Sequence, residues 1–554
     1  MIQENFIKLY EESFKDNWEL PALTDYSKGI TFGYSDVAKE IARIHIIFDE
    51  CQIRKGDKIA LVGKDSSRWC IAYMSAITYG AIIVPILQDF SPNDIHHIVN
   101  HSESSILFAS DRIWDLLEEE KMPDLRGAFS LSDFRCIHQR DGESIQKTMR
   151  MLDQKMQERY PEGFAAECIR YAELDNDKII EINYTSGTTG FSKGVMLTGN
   201  NLAGNVVYTK ELGLLYRGER ELCFLPLAHA YSCAFNLLLP LAIGAHVFIL
   251  GKVPSPKILM KAFDEVKPDI ILTVPLIIEK IYKKMIVPQL NKIPIKLALN
   301  IPLLDNRIYE QIRKNLTDAF GGRCRSVIIG GAAMNQEVAD FLHKIKFPFT
   351  IGYGMTECGP LISYDDHKEY RLKSCGQILK GIMEVRIASD DPYTKVGEIQ
   401  VRGENVMKGY FKNDEATTSV FTEDGWLCTG DLGTIDEHNR IYICGRSKTM
   451  ILGPSGQNIY PEGIESKLNN MPFVMESLII EKGNRLVALI YPDYEMVDSL
   501  GISHKDLPEI MEETRKQLNE TLASYEVISS TQLYPTEFEK TPKKSIKRYL
   551  YSSI

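Results

Sequence analysis

Apolar runs separated by amphipathic stretches organise the first two-thirds of the chain. "KIALVG" (58–63) precedes an apolar-periodic stretch near Arg68–Thr78 and then "AIIVPI" (81–86). "SSILFAS" leads into "DRIWDLLEEE", "AHVFIL" leads into "PKILMKAFDEVK", and "DIILTV" and "SVIIGGAA" follow the same plan. Short apolar runs read as buried strands, and the 3.6-residue apolar spacing between them reads as helices. The alternation predicts an α/β fold of mostly parallel sheets covered by helices, with ligands gathering at the carboxyl ends of the strands. From about Gly376 the pattern changes to short β runs with turns, "MEVRIAS", "GEIQVRG", "GWLCTGD" and "RIYICGR", which predict a small β-barrel-like subdomain. After Arg446 come a Gly-rich hairpin "ILGPSGQNIYP", a helix near Glu462–Asn469, strands "ESLIIEK" and "LVALIYP", a helix over Lys505–Ala523 and a basic tail. The expected organisation is a large N-terminal domain over 1–447, with its β subdomain at about 376–447, and a small α+β C-terminal domain over 448–554.

Composition narrows the function. At 554 residues the chain is too long for one ordinary core. A formal charge of −11 argues against nucleic acid as a partner, since phosphate contacts need a basic face; the only dense basic cluster is "KKSIKR" at Lys543–Arg548. Eleven cysteines show no CxxC pair, and "MIQENFIKLYEESFKDNWEL" reads as an amphipathic stretch rather than a secretory leader. Reduced thiols and a cytoplasmic protein are expected, with at most peripheral contact at the inner face of a membrane. Leu222–Gly251 carries no Asp, Glu, Lys or Arg and exceeds the roughly 20 helical residues that cross a bilayer. Pro226, Pro240, Gly244 and two histidines interrupt it, so a buried helix and strand is the expectation.

The chemistry begins at "NYTSGTTGFSKGVML" (183–197). Hydroxyl residues and glycines make a loop whose backbone N–H groups and side chains can turn toward one object, and Lys193 adds a point charge. A polyphosphate is the natural object. The stretch still fails the Walker A pattern, because Ser192 precedes the lysine and Gly194 follows it.

Further motifs follow in order: "LPLAHAYS" (225–232), "GGAA" (330–333), "IGYGMTECGP" (351–360), "DGWLCTGD" (424–431), "GRSKTMILGPSGQNIYPEGIE" (445–465) and "TPKKSIKR" (541–548). With these the sequence resembles the acyl-adenylate-forming superfamily, which includes acyl-CoA synthetases, peptide-synthetase adenylation domains and firefly-type luciferases. "LPLAHAYS" is most like the long-chain fatty acid–CoA ligases. The resemblance implies activation of a fatty acid by ATP and Mg²⁺ to acyl-AMP with release of pyrophosphate, then thioester formation with CoA.

Residue by residue, it implies that Thr185, Ser186, Gly187, Thr188, Thr189 and Gly190, with Lys193, hold the β- and γ-phosphates. Gly331 and Ala332 would let the purine approach the backbone, and Tyr353 would lie against the adenine. Thr356 would donate to the α-phosphate and Glu357 would hold Mg²⁺, a hard cation that takes few protein oxygens. Asp431 would accept the ribose hydroxyls, with Arg446 beside it. Lys547 aligns with the catalytic tail lysine when Ser545 is matched to the family's serine; Lys544 is the other candidate. Lys448 matches the hinge of a mobile C-terminal domain, and Gly453 and Gly456 would line the pantetheine channel. His229 matches the gate before the acyl pocket, with Tyr231 and Ser232 following. No acidic residue lies between His229 and Gly251, so a substrate ammonium would stay unpaired and an apolar acyl chain is favoured. Loading of an acyl carrier protein, a non-catalytic nucleotide-binding role and a membrane-embedded lipid transporter are the alternatives.

Overall fold

The computed structural model of the chain describes residues 2–140, 142–185, 192–299, 301, 304–453, 457–483, 485–542 and 545–551. Two large sheets form the body. In the first the strands lie in the order Gly409–Tyr410, Lys193–Thr198, Ile179–Thr185, Ile82–Ile86, Lys58–Val62, Ser104–Ala109, Gly127–Ser130, Cys136–Gln139. In the second the order is Phe349–Ile351, Ser326–Ile329, Ile270–Thr273, Arg220–Cys223, His246–Ile249, Pro21–Asp25, Ile30–Gly33. Pairing is parallel through the middle of each sheet and antiparallel only toward the edges. Helices cover both faces, so the central strands are buried at nearly every position, as "KIALV" and "IILT" show. Local signals place the helix ends: Ser66 Oγ accepts from Trp69 N–H at the start of the helix Ser67–Tyr79, and Gly80, at φ +91°, closes it.

A four-stranded antiparallel sheet, Met383–Ala388, Gly397–Gly403, Leu427–Ile435 and Ile441–Arg446, forms the small β unit. The stretch "DRIWDLLEEE" departs from its expected helix. Only Asp111–Trp114 is α-helical, followed by a 3-10 turn at Glu119–Lys121. His96 Nε2 takes the Glu118 N–H at 3.0 Å, so a tertiary acceptor replaces the helical one. The helix expected over Lys505–Ala523 runs over Leu507–Asn519, behind a 3-10 turn at His504–Asp506.

The uncharged segment forms the end of the strand Arg220–Cys223, a helical stretch over Ala230–Ile243 and the strand His246–Ile249. The middle of the helix, Cys233–Leu238, is π-helical. Leu237, Leu238, Leu239 and Leu241 are fully buried. Against them packs the helix Phe6–Asp16, whose Tyr10 Oη donates to Leu238 O (3.1 Å) and whose Ser13 Oγ donates to Leu241 O (2.6 Å). The apolar face of that N-terminal helix, Phe6, Tyr10 and Phe14, is thus buried in the body. No described helix is long and apolar enough to cross a membrane.

Beyond the small sheet, the strands Val474–Lys482, Arg485–Pro492 and Ile528–Leu533 and the helices Pro461–Asn469 and Leu507–Asn519 enclose a core of their own, including Leu468, Ala488, Met511 and Ile528. The body caps the last turn of Pro461–Asn469. Lys283 Nζ donates to Asn469 O (2.9 Å) and Val474 O (3.1 Å), and Asn335 Nδ2 donates to Ser466 O (2.7 Å). A cation at a helix C-terminus is favoured by the dipole and by the orphan carbonyls there. Beside these bonds Tyr460 packs closely on Gly445, where a Cβ would stand 2.6 Å from its Cδ1, and Cys444, Tyr460, Lys467, Leu522 and Glu526 line a cleft of about 290 Å³. Replacing Lys283 with Met removes the two bonds it makes, and a charge-assisted bond contributes about 1.5–3 kcal/mol; Asn335 is left in place because it also caps the helix Gln336–Lys344. Limited proteolysis in the exposed 446–448 turn is therefore expected to accelerate roughly tenfold, with far-UV dichroism unchanged. Equal cleavage rates would mean that other contacts dock the C-terminal part.

Candidate active site

The strands Ile179–Thr185 and Lys193–Thr198 are antiparallel neighbours whose register ends at Thr185↔Lys193. The hydroxyl-rich loop therefore leaves one strand end and returns at the next; Ser186, Gly187, Thr188, Thr189 and Gly190 lie outside the described residues. Thr185 Oγ1 donates to Lys193 O at 3.5 Å. Gly194 is required by packing, since a Cβ there would stand 2.8 Å from Ile182 Cγ2. Lys193 Nζ sits 4.8 Å above the centre of the Tyr410 ring, a cation–π contact.

Tyr410 Oη donates to Glu357 Oε1 at 2.9 Å. Glu357 stands in the 3-10 turn Thr356–Cys358, just after the short strand Tyr353–Gly354, and its carbonyl accepts from Met407 N–H at 2.8 Å. Thr356, buried, opens that turn. Tyr353 is also buried; its Oη donates to Asp431 Oδ2 at 2.7 Å. Asp431 and Arg446 are register partners across the strands Leu427–Ile435 and Ile441–Arg446, and Arg446 Nε lies 2.9 Å from Asp431 Oδ1. Burial pushes the Asp431 pKa up, against the guanidinium of Arg446 and the hydroxyl of Tyr353, which hold it down. Lys193 and Glu357 thus meet on Tyr410, and Tyr353 and Arg446 meet on Asp431, giving two pairs of contacts.

The remaining sequence-derived residues fall into three groups. Gly331, at φ +86°, holds a left-handed backbone and Ala332 beside it is exposed. The close approach occurs one residue earlier, where a Cβ on Gly330 would stand 3.3 Å from Tyr231 Cζ. Tyr231 Oη donates to Ile328 O at 3.1 Å, and Ser232 Oγ is bonded to Leu225 O (3.0 Å) and Asn236 Oδ1 (3.0 Å). Ser232 therefore fixes the loop "LPLAHAYS", with half-buried His229 at the N-terminus of the helical stretch. Lys448 is exposed in the turn after the strand Ile441–Arg446. Gly453 N–H donates to Gln457 O at 2.8 Å in the hairpin; Gly456 lies outside the described residues. Lys547 Nζ lies 3.6 Å from Glu539 Oε2 on its own lobe, while its neighbour Arg548 pairs with Glu465. Lys544 lies outside the described residues.

Two residues were not singled out from sequence. Tyr410 sits in "MKGYF", which carries no charge pattern that marks it. Glu221 precedes the uncharged segment, yet it turns into it: Asn236 Nδ2 donates to Glu221 Oε1 at 2.6 Å, and Glu221 Oε2 has no hydrogen-bond partner among the described residues. An acidic residue thus does face this region, supplied by the neighbouring strand.

A family model described as "AMP-binding enzyme" matches residues 10–411. The chain belongs to the AMP-binding enzyme family. It is 28% identical over 545 residues to the long-chain-fatty-acid–CoA ligase FadD15 of Mycobacterium bovis, covering 90% of this chain and 86% of that protein. It is also 28% identical over 484 residues to 4-coumarate–CoA ligase CCL1 of Humulus lupulus, covering 84% and 79%. Its fold superposes with a TM-score of 0.74 on o-succinylbenzoate coenzyme A synthetase (MenE) of Bacillus subtilis, solved in complex with ATP and magnesium ion, at 21% identity and 100% coverage of both chains. Within this family member, burial raises the pKa of Glu221 well above its ordinary 4.5, and the Asn236 amide offsets this only in part. The folded chain then binds that proton more tightly than the unfolded chain. The resulting stability is full below about pH 4.5 and is lost as pH rises toward the shifted value. Glu221→Gln keeps an acceptor for Asn236 and cannot ionise. It is expected to flatten the decline and to raise the melting temperature at about pH 8 but not at about pH 4; parallel curves for the two proteins would exclude Glu221 as the group.

Proposed function

We propose that the chain is an ATP-dependent fatty acid–CoA ligase: it activates the acid as acyl-AMP, releases pyrophosphate and passes the acyl group to the thiol of CoA. The observation that carries this reading is the meeting of Lys193 and Glu357 on Tyr410, and of Tyr353 and Arg446 on Asp431, all drawn from distant stretches of sequence. A carboxylate oxygen attacks the α-phosphorus as the bond to pyrophosphate breaks. Both partners are anionic, so cations and donors placed in advance lower the barrier.

Lys193 and the loop 185–190 would take the leaving phosphates, and Thr356 the α-phosphate. The donor set fits Mg²⁺: Glu357 supplies a hard carboxylate oxygen, half-exposed, with the Tyr410 hydroxyl donating to Oε1. Bound there, the ion would neutralise charge on the phosphates. Asp431 has one oxygen on Arg446 and the other on Tyr353, which leaves lone pairs for two ribose hydroxyls. Gly331 and Ala332 would lie beside the purine and Tyr353 against it.

In the second half-reaction the thiol sulfur attacks the acyl carbonyl and AMP leaves. The C-terminal part, 448–554, would turn about Lys448, withdrawing Lys547 and presenting the hairpin with Gly453 and Gly456 to the pantetheine arm. The fatty acid assignment is supported by the FadD15 similarity. The leucines of the helical stretch are already packed in the core, so the acyl chain would run past His229, Tyr231 and Ser232 rather than among them.

Pyrophosphate exchange into ATP with acids from acetate to stearate and with 4-coumarate, followed by thioester formation on CoA or on holo-acyl carrier protein, tests the reading. Exchange should require Mg²⁺, rise with chain length and feed CoA; Glu357→Ala should lower it at least about a hundredfold. Lys547→Ala should lose exchange yet still convert supplied acyl-AMP to thioester. The split appearing in Lys544→Ala instead would shift the tail register. Best exchange with 4-coumarate would overturn the fatty acid assignment, and transfer to carrier protein alone would overturn CoA as acceptor.

A further inference from the structure

We infer that Tyr410 is a positioning residue that holds Glu357 and Lys193 in one fixed spatial relation, an inference that rests on the reading of Glu357 as the magnesium carboxylate. Tyr410 touches both groups at once: its hydroxyl is 2.9 Å from Glu357 Oε1, and its ring centre is 4.8 Å from Lys193 Nζ.

The backbone around it is stitched to the same two places. The strand Gly409–Tyr410 pairs antiparallel with Lys193–Thr198, in the register Gly409↔Met196 and Tyr410↔Val195. Phe411 N–H donates to Gly194 O (2.7 Å), Lys408 N–H to Met196 O (3.0 Å) and Met407 N–H to Glu357 O (2.8 Å). From behind, Thr417 Oγ1 accepts Tyr410 N–H at 2.9 Å. A Cβ on Gly409 would stand 2.8 Å from Thr417 Cγ2, so the chain passes that point closely. Tyr410 is buried, and its hydroxyl, as a donor to a carboxylate oxygen, has Glu357 Oε1 as its acceptor.

A glutamate on a turn has several free torsions, and its usefulness to a metal depends on losing them before the metal arrives. Hydrogen-bond partners behind a metal carboxylate commonly change metal affinity about 10–100-fold when removed. The ring does the corresponding work for Lys193, whose ammonium is held over an aromatic face near the returning end of the loop. One side chain thereby sets the separation between a carboxylate for the cation and an ammonium for the phosphates. A surface aromatic with only a packing role would touch neither.

The test uses full-length protein with Mn²⁺ and an ATP analogue whose α,β-bridge is methylene, read by water-proton relaxation, alongside the Mg²⁺ and ATP dependence of pyrophosphate exchange. Tyr410→Phe keeps the packing and the ring but loses the hydroxyl. Mn²⁺ binding should weaken about tenfold and half-saturation by Mg²⁺ should rise by the same factor, with the KM for ATP at saturating Mg²⁺ within about twofold. Tyr410→Leu removes the ring as well and should in addition raise the KM for ATP about threefold. Wild-type Mn²⁺ binding by Tyr410→Phe overturns the inference. So do identical profiles for the Phe and Leu variants, because the contact with Lys193 would then do nothing. If the Leu variant does not fold, the Phe variant decides. Glu357→Ala separates the two levels: unchanged Mn²⁺ binding in that variant would refute the metal reading itself, whereas lost binding there with normal binding in Tyr410→Phe refutes only the role of Tyr410.

Discussion

Asp431 is a carboxylate taken almost wholly out of water, its side chain 5% exposed, and the site is arranged around keeping it there. Desolvation favours its neutral form, and the carboxylates of Glu357 and Glu462 push the same way. What opposes them is one guanidinium and one phenol. The guanidinium arrives by strand register inside the small antiparallel sheet, and the phenol arrives from the strand Tyr353–Gly354 of a different sheet. The small sheet and the body are therefore joined at a polar contact whose loss would leave a buried charge poorly compensated. That same junction places Glu357, three residues after Gly354, within reach of Tyr410 and hence of Lys193.

The body was legible in sequence wherever the physics was local or strongly periodic. Strands such as Lys58–Val62 are apolar throughout because helices cover both faces, and the helix Ser67–Tyr79 is bracketed by a serine cap and a glycine stop. The uncharged segment was legible as helix and strand because Pro226 precedes the helix and Gly244, at φ +83°, ends it; Pro240, expected to interrupt it, instead lies inside the helical stretch just after the π-helical turn. Its π-helical turn, Cys233–Leu238, was not: the contacts on that stretch come from far away in the chain, with Tyr10 donating to Leu238 O at the end of the turn and Ser13 to Leu241 O in the α-helical turn that follows. The stretch after Asp111 shows the opposite failure. Its charges and apolar residues suit a helix, but His96 from a neighbouring helix captures an amide and ends it.

In the site, legibility followed side-chain chemistry. Lys193, Glu357, Asp431 and Arg446 announce themselves as charges in short motifs, and the structure brings them together in two pairs. Tyr410 and Glu221 act by where they stand. A tyrosine in a two-residue edge strand gains its contacts only when that strand pairs with Lys193–Thr198. A glutamate on a parallel strand becomes relevant to the next helix only when the chain folds back over it. Sequence reasoning that looked for an acid downstream of His229 had no means of seeing one that came from beside it.

The position of the C-terminal part follows from the same balance of weak and strong contacts. Three hydrogen bonds from Lys283 and Asn335 satisfy carbonyls at the end of the helix Pro461–Asn469 and at Val474, while the neighbouring cleft leaves other surface unpacked. Such an interface is directional without being extensive. Lys547 rests near Glu539, partly exposed and 3.6 Å away, a pair that water screens and that contributes little. Arg548, one residue on, is tied to the buried Glu465 inside its own lobe. The lobe's interior pairs and its own core therefore stand apart from what docks it, the bonds at one helix end and the close packing of Tyr460 on Gly445.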